Sequence, residues 1–326
     1  MENILELKNL TISFGNKEER YEVVSDVSIN VPKGKIICVV GESGCGKTVT
    51  ALSVMGLLSI PPGSIDSGEV IFDGQDLLDL SEKQLREYRG NRLSMIFQEP
   101  VSSLNPVFTI GNQIGEAIRA HRTVSNAEEK ERVIELLDLV GIPAPETRLN
   151  SYPHELSGGM CQRAMIAMAL SCDPELLIAD EPTTALDVTI QAGILDLILE
   201  LRDRIGMAVM LITHDLGIVS EVADEVYVLY AGKVVEKGTR DSIFNSPSHP
   251  YTIGLINSVP SLVERSGQLK SIAGNIPSPK NFPKACRFQD RCEYVFDKCR
   301  QTEPSLDKIG EEHFAACYKS GDLFNI

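Results

Sequence analysis

The sequence predicts an α/β fold: a core with a parallel sheet, broken by a helical stretch and followed by a small irregular extension. Three observations predict it. Apolar, largely β-branched or aliphatic runs at 36–40 and 176–179 read as buried strands. The first runs straight into a glycine-rich loop and then a helical pattern, the strand–loop–helix order of a parallel sheet. Strand and helix signals alternate in 1–97 and again from 173 to about 238, while 98–172 is mostly helical.

Composition bounds the rest. At 326 residues, 43% hydrophobic and 24% charged, the chain can bury a large core and suggests about two domains. A formal charge of −15 argues against a protein that mainly grips nucleic acid, because phosphate backbones call for a basic surface. The start, "MENILELKNL", lacks the basic and apolar regions of a signal peptide, and no apolar run approaches the ~20 residues that span a bilayer. A reducing, cytosolic setting is therefore expected, in which clustered cysteines are metal ligands or redox groups more often than disulfides.

The loop after the first strand reads Gly41-Glu42-Ser43-Gly44-Cys45-Gly46-Lys47-Thr48, the pattern G-x-x-x-x-G-K-[ST] in its proper context. Glycines at 41, 44 and 46 let the backbone curl so that its N–H groups face inward onto phosphates. The following helix adds its positive N-terminal end. Lys47 reaches the β- and γ-phosphates and the Thr48 hydroxyl binds Mg²⁺. Cys45 contributes its backbone N–H and otherwise serves as a small filler. The second strand ends in Asp180-Glu181. A carboxylate at a strand's C-terminal end can hold Mg²⁺, the role given to Asp180, and Glu181 can polarise an attacking water as general base.

"ELSGGMCQRAMIAMAL" opens an amphipathic helix with Ser157 as N-cap. Glycines at 158 and 159 cost roughly 1 kcal/mol each against alanine just inside a helix. They leave a bare N-terminus that suits a second phosphate site, and two phosphate sites on one chain invite a nucleotide shared between two chains.

With these motifs in hand, the chain resembles the ATP-binding cassette (ABC) ATPases over roughly residues 3–260. Gly41–Thr48, "LSGG" at 156–159, "LLIADEP" and "ITHD" at 212–215 stand in the family's order. The resemblance implies an ABC-type P-loop NTPase core with a helical subdomain at about 98–172, ATP and Mg²⁺ as ligands, and hydrolysis to ADP and phosphate. It implies roles for Gln98 of "MIFQEP" as the coupling glutamine near Mg²⁺, Asp187 in the D-loop, and His214 as the switch histidine on the γ-phosphate. The adenine would stack on Phe14, with Tyr21 as the fallback. The sequence departs from the pattern after "LSGG", where Met160 replaces the usual Gln and Cys161 follows.

Capping boxes at Ser81/Gln84 and Ser125/Glu128 mark two further helices. Beyond 238 the chain exceeds a minimal cassette. "FQEPVSSLNP", "HPYT", "GNIP" and "CRFQDRC" resemble the peptide-importer ATPases, with nickel importers as close competitors and a soluble non-transport ABC ATPase as the remoter alternative. Domains of 1–261 and 262–326 are expected, the second a cysteine-rich, metal-binding extension. Of eight cysteines, Cys286, Cys292, Cys299 and Cys317 fall in this tail, without the C-x-x-C of structural zinc. Four thiolates can hold a [4Fe–4S] cluster with irregular spacing, and the family resemblance points the same way, with zinc as the alternative. Cys38 and Cys172 read as buried fillers. The resemblance further implies a partner ATPase (paralogue or self), two membrane permeases and, indirectly, a solute-binding protein, at the cytoplasmic face of the membrane.

Overall fold

A computed structural model describes residues 2–16, 19–183, 188–259 and 272–320. In chain order the strands are β1 Asn3–Gly15, β2 Arg20–Pro32, β3 Ile36–Val40, β4 Gly63–Phe72, β5 Gln75–Asp76, β6 Leu93–Ile96, β7 Leu176–Asp180, β8 Ala208–Thr213, β9 Glu225–Tyr230, β10 Lys233–Thr239, β11 Asp307–Lys308 and β12 Phe314–Ala315. The helices are α1 Lys47–Val54, α2 Glu82–Tyr88, α3 Pro100–Ser103, α4 Ile110–His121, α5 Asn126–Leu139, α6 Pro145–Arg148, α7 Gly158–Ala169, α8 Val188–Ile205, α9 Leu216–Val222, α10 Arg240–Asn245, α11 Pro250–Asn257 and α12 Asp297–Gln301. They divide between two compact units: residues 1–4, 32–35 and 79–210 in one, and 5–31, 36–78 and 211–326 in the other.

The second unit holds two sheets. One runs β2-β1-β4-β5, with β1 antiparallel to β4 in the register Leu5↔Phe72 and Leu7↔Val70. Alternation explains it, because Leu5, Leu7, Leu10 and Ile12 are fully buried while Lys8 and Asn9 face out. The other runs β11-β12-β10-β9-β3, in which β3 lies parallel to β9 and the rest are antiparallel. Every residue of β3 is buried, which is why it reads as a continuous apolar run rather than an alternating one. The tail folds onto this sheet. Ala315 and Phe314 pair with Glu236 and Lys237 of β10. The buried Glu236 carboxylate accepts from the N–H groups of Ser248 and His249 at 2.7 and 2.9 Å and meets His313 Nε2 at 2.7 Å.

The first unit is mostly helical, as the 98–172 stretch predicts, with β6 and β7 a parallel pair. Both capping boxes form, Ser81 with Gln84 and Ser125 with Glu128. Two arginines, Arg122 and Arg132, converge on Asp173 at 2.9 and 2.7 Å and tie α5 to the turn after α7. Among the described residues no helix is long and apolar enough to cross a membrane.

Candidate functional site

β3 delivers the chain into the Gly41–Thr48 loop, whose last two residues open α1. Its glycines are required by geometry at two positions. Gly41 has φ +155°, and a Cβ there would lie 2.2 Å from the Leu229 carbonyl oxygen. Gly46, at φ +107°, would place a Cβ 3.2 Å from the Val23 oxygen. Lys47 is buried, and its ammonium donates to the carbonyls of Gly41 at 2.7 Å and Glu42 at 3.1 Å. Ser43, Gly44 and Thr48 are exposed along the rim, with the lysine folded inside the loop. Cys45 points inward and is buried, and burial raises its thiol pKa, so the side chain is inert filler.

In the other unit, β6 and β7 end side by side. Asp180 is buried at the end of β7. Glu181 follows with φ +46°, a left-handed conformation that costs a non-glycine residue energy and turns its side chain out of the strand. Its Oε2 accepts from Gln98 Nε2 at 3.0 Å. Two residues that the sequence places 83 positions apart therefore meet at adjacent strand ends, where open α/β sheets bind their ligands.

α7 starts where the sequence predicts. The Ser157 side chain accepts from Met160 N–H, and Ser157 and Gly158 are exposed. A Cβ at Gly158 would meet nothing within 4 Å, so the helix has open space at that residue. Of the divergent positions, Cys161 faces the core, with Sγ 3.4 Å from the Pro153 carbonyl, and Met160 is half-buried. His214 is exposed just past β8, and Asp215 caps α9 through Gly217 and Ile218 N–H at 2.8 and 3.4 Å. Phe14 is half-buried near the end of β1, opposite Gly63. The ring of Tyr21 has the Lys280 ammonium 5.5 Å from its centroid. Asp187 lies outside the described residues.

Cys286, Cys292, Cys299 and Cys317 line one cavity of about 20 Å³ together with His249, Phe288, Tyr294 and Phe296. Burial raises the Cys286 thiol to about 12 and Cys317 to about 11, and neighbouring thiols add to the rise. Among the described residues, no group of three or more His, Cys, Asp or Glu side chains is spaced to hold a metal ion.

Sequence reasoning missed how the tail reaches the loop. Tyr251 of "HPYT" accepts from the Glu42 N–H at 2.8 Å, and Arg291 of "CRFQDRC" binds the Glu42 carboxylate through both of its terminal nitrogens. Both stretches stood out as family features, but no periodicity links residues so far apart.

The fold and these strand-end features define an ATP-binding cassette, and the family described as "ABC transporter" matches residues 24–184. Solved structures agree. A dimeric cassette bound to ADP and Pi is 29% identical with a TM-score of 0.64, covering 72% of this chain and 98% of that one. CbiO1 from Clostridium perfringens, part of a transporter complex, is 26% identical with a TM-score of 0.64, covering 76% and 92%. A second family, described as "Oligopeptide/dipeptide transporter, C-terminal region", matches residues 235–299. The dipeptide transport ATP-binding protein DppD of Haemophilus influenzae is 48% identical over 94% of this chain and 93% of its own length. The oligopeptide transport ATP-binding protein AppD of Bacillus subtilis is also 48% identical, with the same coverage. The chain belongs to the ATP-binding subunits of the oligopeptide/dipeptide ABC transporter family.

Proposed function

We propose that the chain is the ATP-hydrolysing subunit that powers import of dipeptides or oligopeptides across the cytoplasmic membrane, bound peripherally to two permease subunits. The match of residues 235–299 to a peptide-transporter C-terminal region carries this reading. In it, Gly41, Ser43, Gly44, Cys45, Gly46, Lys47 and Thr48 cradle the phosphates of ATP. Thr48, Asp180 and Gln98 serve Mg²⁺, Glu181 is the general base, His214 contacts the γ-phosphate, and Ser157, Gly158, Gly159 and Asp187 act on ATP held by a second cassette. Phe14 takes the adenine, a choice supported by the Lys280 cation standing over Tyr21. Exposed Phe97, Val107 and Phe108 offer apolar surface for a permease. Peptide uptake tests the reading. Cells lacking their own importer should take up labelled di- or oligopeptide when given the chain with its genomic partners. Uptake of nickel in place of peptide would reassign the cargo.

The thiol-lined cavity is proposed to hold a thiolate-bound metal group, [4Fe–4S] with zinc as the alternative. The donor types support it: four thiols line one small apolar cavity, and thiolates are soft-metal ligands. Such a group, when bound, would staple a proline-rich tail that has little core of its own.

A further inference from the structure

Glu42 follows the first glycine of a loop that reads as the polyphosphate site, where a carboxylate whose charge is not compensated would oppose binding. Two residues of the C-terminal region grip it. Tyr251 Oη accepts its backbone N–H at 2.8 Å. Arg291 takes its carboxylate in a two-pronged contact, Nη1 to Oε2 at 2.6 Å and Nη2 to Oε1 at 2.9 Å. The Arg291 side chain is only 5% exposed. It is anchored by donating to the carbonyls of Ala273 at 2.9 Å and Gly274 at 3.2 Å, with the ring of Tyr230 5.7 Å from its guanidinium carbon. Tyr230, Tyr251 and Phe288 pack ring against ring at 4.7–5.5 Å behind it. Arg291 also directly precedes Cys292, so the segment that carries two of the cavity thiols carries the clamp.

We propose that Arg291 is a positioning residue for nucleotide binding: it neutralises Glu42 and holds the Gly41–Thr48 loop in its phosphate-ready shape from the C-terminal extension. The inference rests on the reading of that loop as the ATP site. Bidentate guanidinium–carboxylate contacts fix geometry as well as charge, and lysine cannot reproduce them. Without the clamp, part of the binding energy of ATP is spent on ordering the loop and on facing an uncompensated carboxylate. That loss is common to ground and transition states, so it appears in KM and leaves kcat nearly intact.

The test is equilibrium binding of a fluorescent ATP analogue to the full chain, with ATPase kinetics in the assembled transporter. Arg291→Gln should weaken binding about 3- to 30-fold and raise KM alike, with kcat held within about twofold. Arg291→Lys should lose affinity in part, and Glu42→Gln added to Arg291→Gln should restore most of the loss by removing the stranded charge. Wild-type affinity in both Arg291 variants, or a fall in kcat at unchanged KM, overturns the proposal. So does a double variant no better than Arg291→Gln, because the loss then does not come from a Glu42 charge left uncompensated. If Arg291→Gln does not fold, Arg291→Lys alone decides between loss and wild-type affinity. Failure of the wild-type chain itself to bind the analogue overturns the ATP-site reading and this inference with it, a result distinct from equal binding by wild type and variants.

Discussion

Glu181 sits in a backbone conformation that few glutamates adopt, with its carboxylate hydrogen-bonded to Gln98. Strain of this kind persists where the surroundings enforce it, and it suits a group that must meet a water at a fixed place. Glu181→Gln should leave ATP affinity near wild type and slow hydrolysis roughly 10²- to 10⁴-fold, the usual worth of a general base. Phosphate release measured against equilibrium ATP binding checks it, and full turnover in the variant would remove Glu181 from the role. His249 makes a second prediction. It is buried, its Nδ1 accepts from the Tyr251 N–H at 3.1 Å, and burial lowers its pKa from 6.5 to about 3. Between those values the unfolded chain holds the extra proton, so stability is lost as the solution is acidified through that window. His249→Asn keeps a capping acceptor without the titration, and its Tm should fall less steeply than wild type from about pH 7 to about pH 5. The loop, the paired carboxylates and the helix cap were legible in the sequence because each is a local pattern of residue types. Glu42, Tyr251 and Arg291 were not, because their meaning lies in contacts of |i−j| = 209 and 249.

At the scale of elements, α7 begins with an exposed Ser157 and Gly158, and a Cβ at Gly158 would meet nothing within 4 Å. If that end serves ATP held by another cassette, a carboxylate placed there should repel the phosphates across the dimer while sparing the chain's own loop. Gly159→Asp should therefore bind ATP as a monomer with near wild-type affinity and lose nearly all hydrolysis in the assembled transporter. Loss of monomer binding would put α7 in the chain's own site instead. Helices were the most legible elements: Ser81, Ser125 and Ser157 mark starts that the structure reproduces. The antiparallel sheet β2-β1-β4-β5 was not foreseen. Its central pairing joins β1 to β4 in a register between partners as distant as Leu5 and Phe72, and the sequence signal in 1–97 reads as simple alternation around the phosphate loop. The short strands β11 and β12, of two residues each, carry too little pattern to be seen at all.

For the whole molecule, the residues of the cysteine-rich tail and the phosphate loop fall within one compact unit. Chain prepared without oxygen should carry metal with its thiols, about four irons and four sulfides per chain for a [4Fe–4S] cluster. Elemental analysis decides: one zinc with no iron would make the group a zinc staple, and neither metal would leave the four thiols as free side chains. The same joining of tail to loop bears on how the protein is made. Glu42 emerges from the ribosome early, while Arg291 follows 249 residues later and the strand that covers β10 later still. Synthesis runs from the N-terminus, so a nascent chain carries every nucleotide motif before it carries the clamp that shapes the first of them. A chain that stops short after residue 259 would keep all the recognisable signatures of a cassette, leave the β10 edge unpaired and open to other chains, and hold its phosphate loop unfinished.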